Sequence, residues 1–131
     1  MSKYLASIST GTKIEMLGPR GSFGYLGSGL FTGERRVKRV GMVAAGSGIT
    51  PMLQMLRKLL GDTGEHLPVT LILCNRTKDN IIAKDELERA ETRHAARFRC
   101  HHVFSENQDR LSEEMMKNVL PKVRNDAHPL K

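Results

Sequence analysis

The residues best placed to do chemistry in this chain are Gly46, Ser47, Gly48, Thr50 and Pro51, inside the stretch Val40-Gly41-Met42-Val43-Ala44-Ala45-Gly46-Ser47-Gly48-Ile49-Thr50-Pro51-Met52-Leu53. Two glycines around one small polar residue let the backbone turn tightly and lie bare. Thr50 can cap the free amides of a following helix, and Pro51 fits a first helical position, where its missing N–H costs nothing. A turn of this kind aims amides and a positive dipole end at an anion. The diphosphate of a dinucleotide is such an anion. The same glycines also suit a strand-to-helix turn that binds nothing, and Pro51 stands where the common dinucleotide fingerprint has its third glycine. The pattern alone leaves both readings open.

A second group, Asn75, Arg76 and Thr77, follows the apolar run 68–74. In an open α/β sheet the carboxyl end of a strand faces the ligand crevice. There Asn75 and Thr77 would hydrogen-bond a bound nucleotide, with Arg76 near its ribose or phosphate. Three polar residues also end many strands that bind nothing. Other candidates fall away. His101 and His102 are adjacent in a predicted strand and point to opposite faces, so they cannot share one metal. No Cys, Asp or Glu cluster has ligand spacing, and no Ser/His/Asp or Cys/His grouping follows a nucleophile pattern. Neither a metal nor a catalytic side chain is expected. Cys74 and Cys100 fall in apolar strands and read as buried free thiols of a reducing compartment.

The elements that position these residues follow from periodicity. Residues 40–45 are apolar and uncharged, as in a strand buried on both faces. Leu53, Leu56, Leu59 and Leu60 recur at helical spacing over about 50–60. Residues 68–74 form a second apolar strand, 80–93 a helix with Ile81, Ile82 and Leu87 inward, and 98–104 a third strand. Glu86 with Arg89 and Arg93, and Asp85 with Arg89, offer exposed ion pairs along that helix. Ser112 opens a last helix with Glu113 and Glu114 in its first turn, and Pro121 ends it. Such alternation predicts a parallel α/β sheet. Upstream, 2–9 is a short amphipathic segment capped by Ser2, with Tyr4, Leu5 and Ile8 on one face. Residues 12–17 alternate like a half-buried antiparallel strand. The shift from charge to apolarity after Gly33 predicts a boundary, with units at 1–33 and 34–131.

At 131 residues the chain can bury one modest core. An apolar fraction of 39% and a charged fraction of 27% fit a globular class. No apolar run reaches the ~20 residues of a membrane span. The net charge of +7 concentrates at Arg35-Arg36-Val37-Lys38-Arg39. With four Phe, two Tyr and no Trp in the whole chain, the rings that stack on bases are missing there. Nucleic-acid binding is therefore not expected, and a basic linker or a surface for an acidic partner is.

Gly46-Ser47-Gly48-Ile49-Thr50-Pro51-Met52 resembles the nucleotide-binding turn of ferredoxin reductase-like flavoenzymes, especially the cytochrome b5 reductase and nitrate reductase flavin branch. Met1-Ser2-Lys3-Tyr4-Leu5 resembles the helix start where that family holds the flavin pyrophosphate, and Gly18-Pro19-Arg20-Gly21-Ser22-Phe23 the last turn of its flavin barrel. Cys74-Asn75-Arg76-Thr77, Asn80-Ile81-Ile82 and Asp85-Glu86-Leu87 resemble its second nucleotide strand and helix. Ser47 stands where relatives usually have Thr, and Asn80 where they often have Asp. The resemblance implies a Rossmann-like nucleotide-binding sheet with a small antiparallel remnant of an FAD domain. It implies FAD and NADH or NADPH as cofactors, with Ser2 and Gly46–Gly48 on phosphates and Thr50 and Pro51 at the flavin–nicotinamide junction. It also implies hydride transfer to FAD, electrons onward to an acidic haem protein such as cytochrome b5, and a cytoplasmic or cytosol-facing membrane surface. The family's Arg-x-Tyr-(Thr/Ser) flavin signature and its Cys-Gly-Pro-Pro motif are not found in this sequence. A fragment is expected, with low activity alone, an exposed sheet edge prone to self-association, and, as the competing reading, a non-catalytic nucleotide-binding or docking module.

Overall fold

The computed structural model describes residues 2–18, 21, 23–33, 35–64 and 66–122. Met1, Pro19, Arg20, Ser22 and the tail from 123 onward lie outside that set, as do the sequence readings that fall on them. The order is α1 (Ser2–Ser7), β1 (Tyr25–Gly27), β2 (Leu30–Phe31), β3 (Arg35–Arg36), β4 (Val40–Ala45), α2 (Ile49–Gly61), β5 (Val69–Asn75), α3 (Lys84–Arg93), β6 (Phe98–Phe104) and α4 (Glu113–Val119).

The α/β expectation holds. Strands β4, β5 and β6 form a parallel sheet in that order. Its register runs Val40 to Val69 and Ala45 to Cys74, then Val69 to Phe98 and Asn75 to Phe104. All three strands therefore end at one level, and the loops that follow them share one rim. Met42, Ala44, Leu71, Leu73 and Phe98 form one face of the core. Onto it α2 lays Ile49, Leu53, Leu56 and Leu60, and α3 lays Leu87. Leu59, Leu71, Leu73 and Phe98 have no exposed surface, and each such side chain stabilises by about 1.5–3 kcal/mol relative to exposure. At the far end of α2, the Arg97 guanidinium donates to the carbonyls of Leu59 (3.3 Å) and Leu60 (2.8 Å), filling acceptors that the helix end leaves open.

A small antiparallel sheet, β1-β2-β3, joins the same core through Tyr25 and Phe31. The Lys58 ammonium on α2 donates to the Tyr25 carbonyl at 2.6 Å, and Phe23 stacks on Phe31 with ring centroids 5.4 Å apart. Gly29 is a required glycine: its φ is +73°, and a Cβ there would lie 2.8 Å from the Val37 carbonyl oxygen.

Four local expectations are corrected. Residues 12–17 form no strand and are exposed, because no neighbouring strand among the described residues receives their alternation. Strand β4 is buried along its length on one face only. Met42 and Ala44 are buried, whereas Val43 keeps 40% of its surface exposed. The other face is covered at its start by the end of α4, where Leu120 and Pro121 come within 3.2 Å of a Cβ built on Gly41. Helix α3 begins at Lys84, after a 3-10 turn at Lys78–Asn80 and a left-handed Ala83 (φ +58°), and this leaves Ile82 exposed. Thr50 is not the cap of α2. Gly48 holds that position, and the Thr50 hydroxyl, already inside the first turn, donates to the Ser47 carbonyl at 3.1 Å. By contrast Ser112 does cap α4, accepting the Met115 amide at 3.1 Å.

Candidate functional site

Strand β4 runs into a 3-10 turn, Gly46–Gly48, and this runs directly into α2. Gly46 makes the turn possible. Its φ of +48° is left-handed, a conformation that costs a residue with a Cβ about 1–2 kcal/mol. Gly48 is different. At φ −62° and ψ −9° any residue would fit, and a Cβ at either glycine meets nothing within 4 Å. Both glycines thus leave bare backbone beside open space at the N-terminal end of a 13-residue helix, and the last carries no conformational demand of its own.

The open space is a crevice of about 540 Å³ along the carboxyl ends of the sheet. Ala45 and Gly46 form one wall, and Cys74, Asn75, Arg76 and Asn80 form another. The loop after β6 completes it with Ser105, Asp109, Arg110 and Leu111. The two loops are joined where the Glu106 amide donates to the Arg76 carbonyl at 3.1 Å. Gln108, left-handed at φ +63°, turns the second loop toward Asp109 and Arg110.

Asn75 is the group that asks for a ligand. It ends the central strand with 8% of its surface exposed, and its Nδ2 is buried without a hydrogen-bond partner. Native proteins satisfy nearly all buried polar groups, so an orphan beside a crevice calls for an acceptor from outside. A nucleotide offers carbonyl, hydroxyl and phosphate acceptors. Thr77 stands one step back, its hydroxyl donating to Asn80 Oδ1 at 2.8 Å. Arg76 is exposed at the rim.

The sequence-predicted residues thus divide. Gly46, Asn75 and Arg76 line the crevice, and Thr77 supports Asn80. Ser47, Gly48, Thr50 and Pro51 are exposed beside the turn but do not form the walls. Ser2 is the first residue of α1, and its side chain lies outside the described set. Sequence reasoning missed Asp109 and Arg110. The rule applied to the end of β5 would have found them if extended to the loop after β6.

Both thiols are held toward the neutral form. Cys74 lines the crevice, and burial raises its pKa. Cys100 is pushed up to about 12 by burial and by the nearby Glu91 carboxylate, which accepts the Cys100 amide at 3.0 Å. Among the described residues no three His, Cys, Asp or Glu are grouped to hold a metal ion, and no helix is long and apolar enough to cross a membrane. The arrangement offers bare backbone at a helix N-terminus and an unpaired amide donor to a ligand in the crevice.

Known proteins resemble this chain in sequence and in fold. Residues 42–130 match the family described as oxidoreductase NAD-binding domain. NADH-cytochrome b5 reductase 3 of Mus musculus is 36% identical over 92% of this chain and 46% of its own length. NADH nitrate reductase 2 of Phaseolus vulgaris is 33% identical over 97% of this chain and 15% of its own length. The chain therefore spans less than half the length of these relatives. Among solved structures, the cytochrome b5 reductase domain of Ulva prolifera nitrate reductase superposes with a TM-score of 0.80, covering 94% of this chain and 49% of that one at 26% identity. Ferredoxin-NADP+ reductase of Plasmodium falciparum shares the fold, with a TM-score of 0.53 over 62% of this chain and 35% of that one at 21% identity. A match across two thirds of the sequence, on the sheet that builds the crevice, leads to one conclusion: the chain belongs to the oxidoreductase NAD-binding domain family.

Proposed function

We propose that this chain holds the nicotinamide dinucleotide of an NAD(P)H-dependent flavin reductase. In this reading FAD takes the hydride, and single electrons pass on to a haem protein such as cytochrome b5. Residues 1–33 contribute to the flavin side and 34–131 to the nucleotide side. The observation that carries the reading is the unpartnered Asn75 amide beside the Gly46 turn, in a crevice at the ends of three parallel strands.

When bound, NAD(P)H would supply a hydride, a proton with two electrons, and FAD would accept both. The protein's own residues bind and orient. The backbone at Gly46–Gly48 and the start of α2 face the diphosphate. Asn75 donates to an oxygen of the nucleotide, and Arg76 balances negative charge at the rim. Thr50 and Pro51 stand on the exposed first turn of α2, where the flavin and nicotinamide would meet. Acidic haem partners suit the cationic segment 35–39.

Titration with NADH, NADPH and FAD, followed through the backbone amides of 46–51 and the Asn75 side-chain amide, tests the reading. Movement of both sets at sub-millimolar dinucleotide is expected. Silence at millimolar ligand refutes it. NADH–ferricyanide reduction, with and without added FAD, then measures catalysis separately from binding. The outer edge of β4 is uncharged, free of proline and unpaired among the described residues, and we infer that it pairs with a second copy. Light scattering that shows only monomer at millimolar protein refutes this part.

A further inference from the structure

Strand β6 ends the parallel sheet on the side opposite β4, with no strand beyond it among the described residues. One bond fixes the direction of its backbone groups. The Val69 amide donates to the Arg97 carbonyl at 2.7 Å, and Val69 stands opposite Phe98. Successive residues of a strand turn their backbone groups to opposite sides. Arg99, His101 and Val103 therefore turn theirs to β5, and Phe98, Cys100, His102 and Phe104 turn theirs outward. The strand carries no proline and one permanent charge, Arg99. An open edge of this kind is a template for another extended strand.

Helix α3 closes the first half of that edge. The Phe98 amide donates to the His94 carbonyl, just past the helix end, at 2.9 Å. The Cys100 amide donates to the Glu91 carboxylate at 3.0 Å. That oxygen takes the place where a neighbouring strand would bring its carbonyl. The helix itself does not favour Glu91, which stands in the last turn of α3, at the negative end of the dipole. The outward amides of His102 and Phe104 have no bond among the described residues.

We propose that Glu91 guards this edge: by holding the Cys100 amide it keeps β6 from pairing with the β6 of a second copy. Two copies related by a twofold axis present the same outward groups to each other, so such a pairing is self-complementary. The inference is independent of the dinucleotide reading and of any pairing through β4.

Amide hydrogen exchange and light scattering test it. In the dilute, unaltered chain the Cys100 amide should exchange at least about tenfold more slowly than the His102 amide, after correction for intrinsic rates, the effect of one hydrogen bond to a charged group. Glu91→Ala should abolish that difference. As its concentration rises, Glu91→Ala should reach at least about twice the mass of the unaltered chain at equal concentration, with Cys100 and His102 gaining protection together. Glu91→Gln keeps an acceptor oxygen and should hold the unaltered mass. Adding His102→Pro to Glu91→Ala removes an outward donor and should restore the unaltered mass. Equal exchange of Cys100 and His102 in the unaltered chain overturns the proposal without any variant. Unchanged mass in Glu91→Ala, association of Glu91→Gln as strong as that of Glu91→Ala, or a raised mass that survives His102→Pro overturns it as well.

Discussion

Replacing Asn75 by leucine, a side chain of similar size and branching, should make the ligand-free protein more stable and the ligand-bound protein less so. The Nδ2 group is buried and unpartnered. A polar group in that condition costs about 1–3 kcal/mol relative to an apolar replacement. Some of this gain is offset by whatever the side-chain oxygen contributes, so the ligand-free variant should gain about 1 kcal/mol. Binding moves the other way. A lost hydrogen bond to the nucleotide costs about 0.5–1.5 kcal/mol, or up to about 3 kcal/mol if the acceptor is a phosphate. Affinity should therefore fall about 2- to 160-fold. At a dinucleotide concentration of about 100 times the wild-type Kd, ligand adds about 2.7 kcal/mol to wild-type stability. A variant that binds thirtyfold more weakly gains only about 0.9 kcal/mol from the same solution. The order of stability then reverses: about 2.7 for the wild type against about 1.9 for the variant, both relative to wild type without ligand. Urea melts with and without dinucleotide, run beside calorimetric titrations, measure every quantity. A variant that is less stable without ligand and binds with unchanged affinity would refute the reasoning. Asn75 would then be a structural residue.

Three further outcomes separate binding from folding. Gly46→Ala should cost about 1–2 kcal/mol of stability from its left-handed φ, whereas Gly48→Ala should leave stability nearly unchanged and still weaken dinucleotide binding, because its Cβ would enter open space at the turn; thermal melts and titrations on both variants check this. Arg97→Ala should lower stability by about 1–2 kcal/mol through the lost hydrogen bonds to carbonyls at the end of α2 and leave Kd unchanged, the crevice being at the opposite end of that helix; urea melts and calorimetry decide it. The Arg57 guanidinium, hydrogen-bonded to both Glu86 oxygens at 2.6 and 2.8 Å, holds the Glu86 pKa below the usual carboxylate range. A lowered carboxylate pKa stabilises the fold above the unfolded value, and that contribution disappears as pH falls through the folded value. Glu86→Gln should therefore flatten part of the rise in Tm between the folded and unfolded carboxylate pKa values, and identical Tm profiles for the two proteins would refute it.

What could be read from the sequence was what neighbouring residues decide among themselves. Leu53, Leu56 and Leu60 need only helical geometry to share a face, and Ser112 needs only Met115 to form its cap. Both were legible. Residues 12–17 show the limit. Their alternation describes a strand that would be half-buried if another strand lay beside it, and pairing is a property of two segments. Strand β4 fails in the same way: six apolar residues predict burial on both faces, yet the second face depends on what crosses it, and Leu120 with Pro121 reaches only the Gly41 end. Glu86 was expected to pair along its own helix and instead bonds to Arg57 on α2, a partner 29 residues away. The site divides along the same line. Gly46 and Asn75 were visible because a glycine turn and a strand end are local features. Arg110 has no motif of its own and is found only by carrying the strand-end rule into the loop after β6. It reaches the crevice because one backbone bond, Glu106 to Arg76, ties together two loops that follow different strands. The residues proposed to face the diphosphate therefore sit in segments a sequence pattern can find, while Arg110 stands on a loop that only the assembled sheet brings to the crevice.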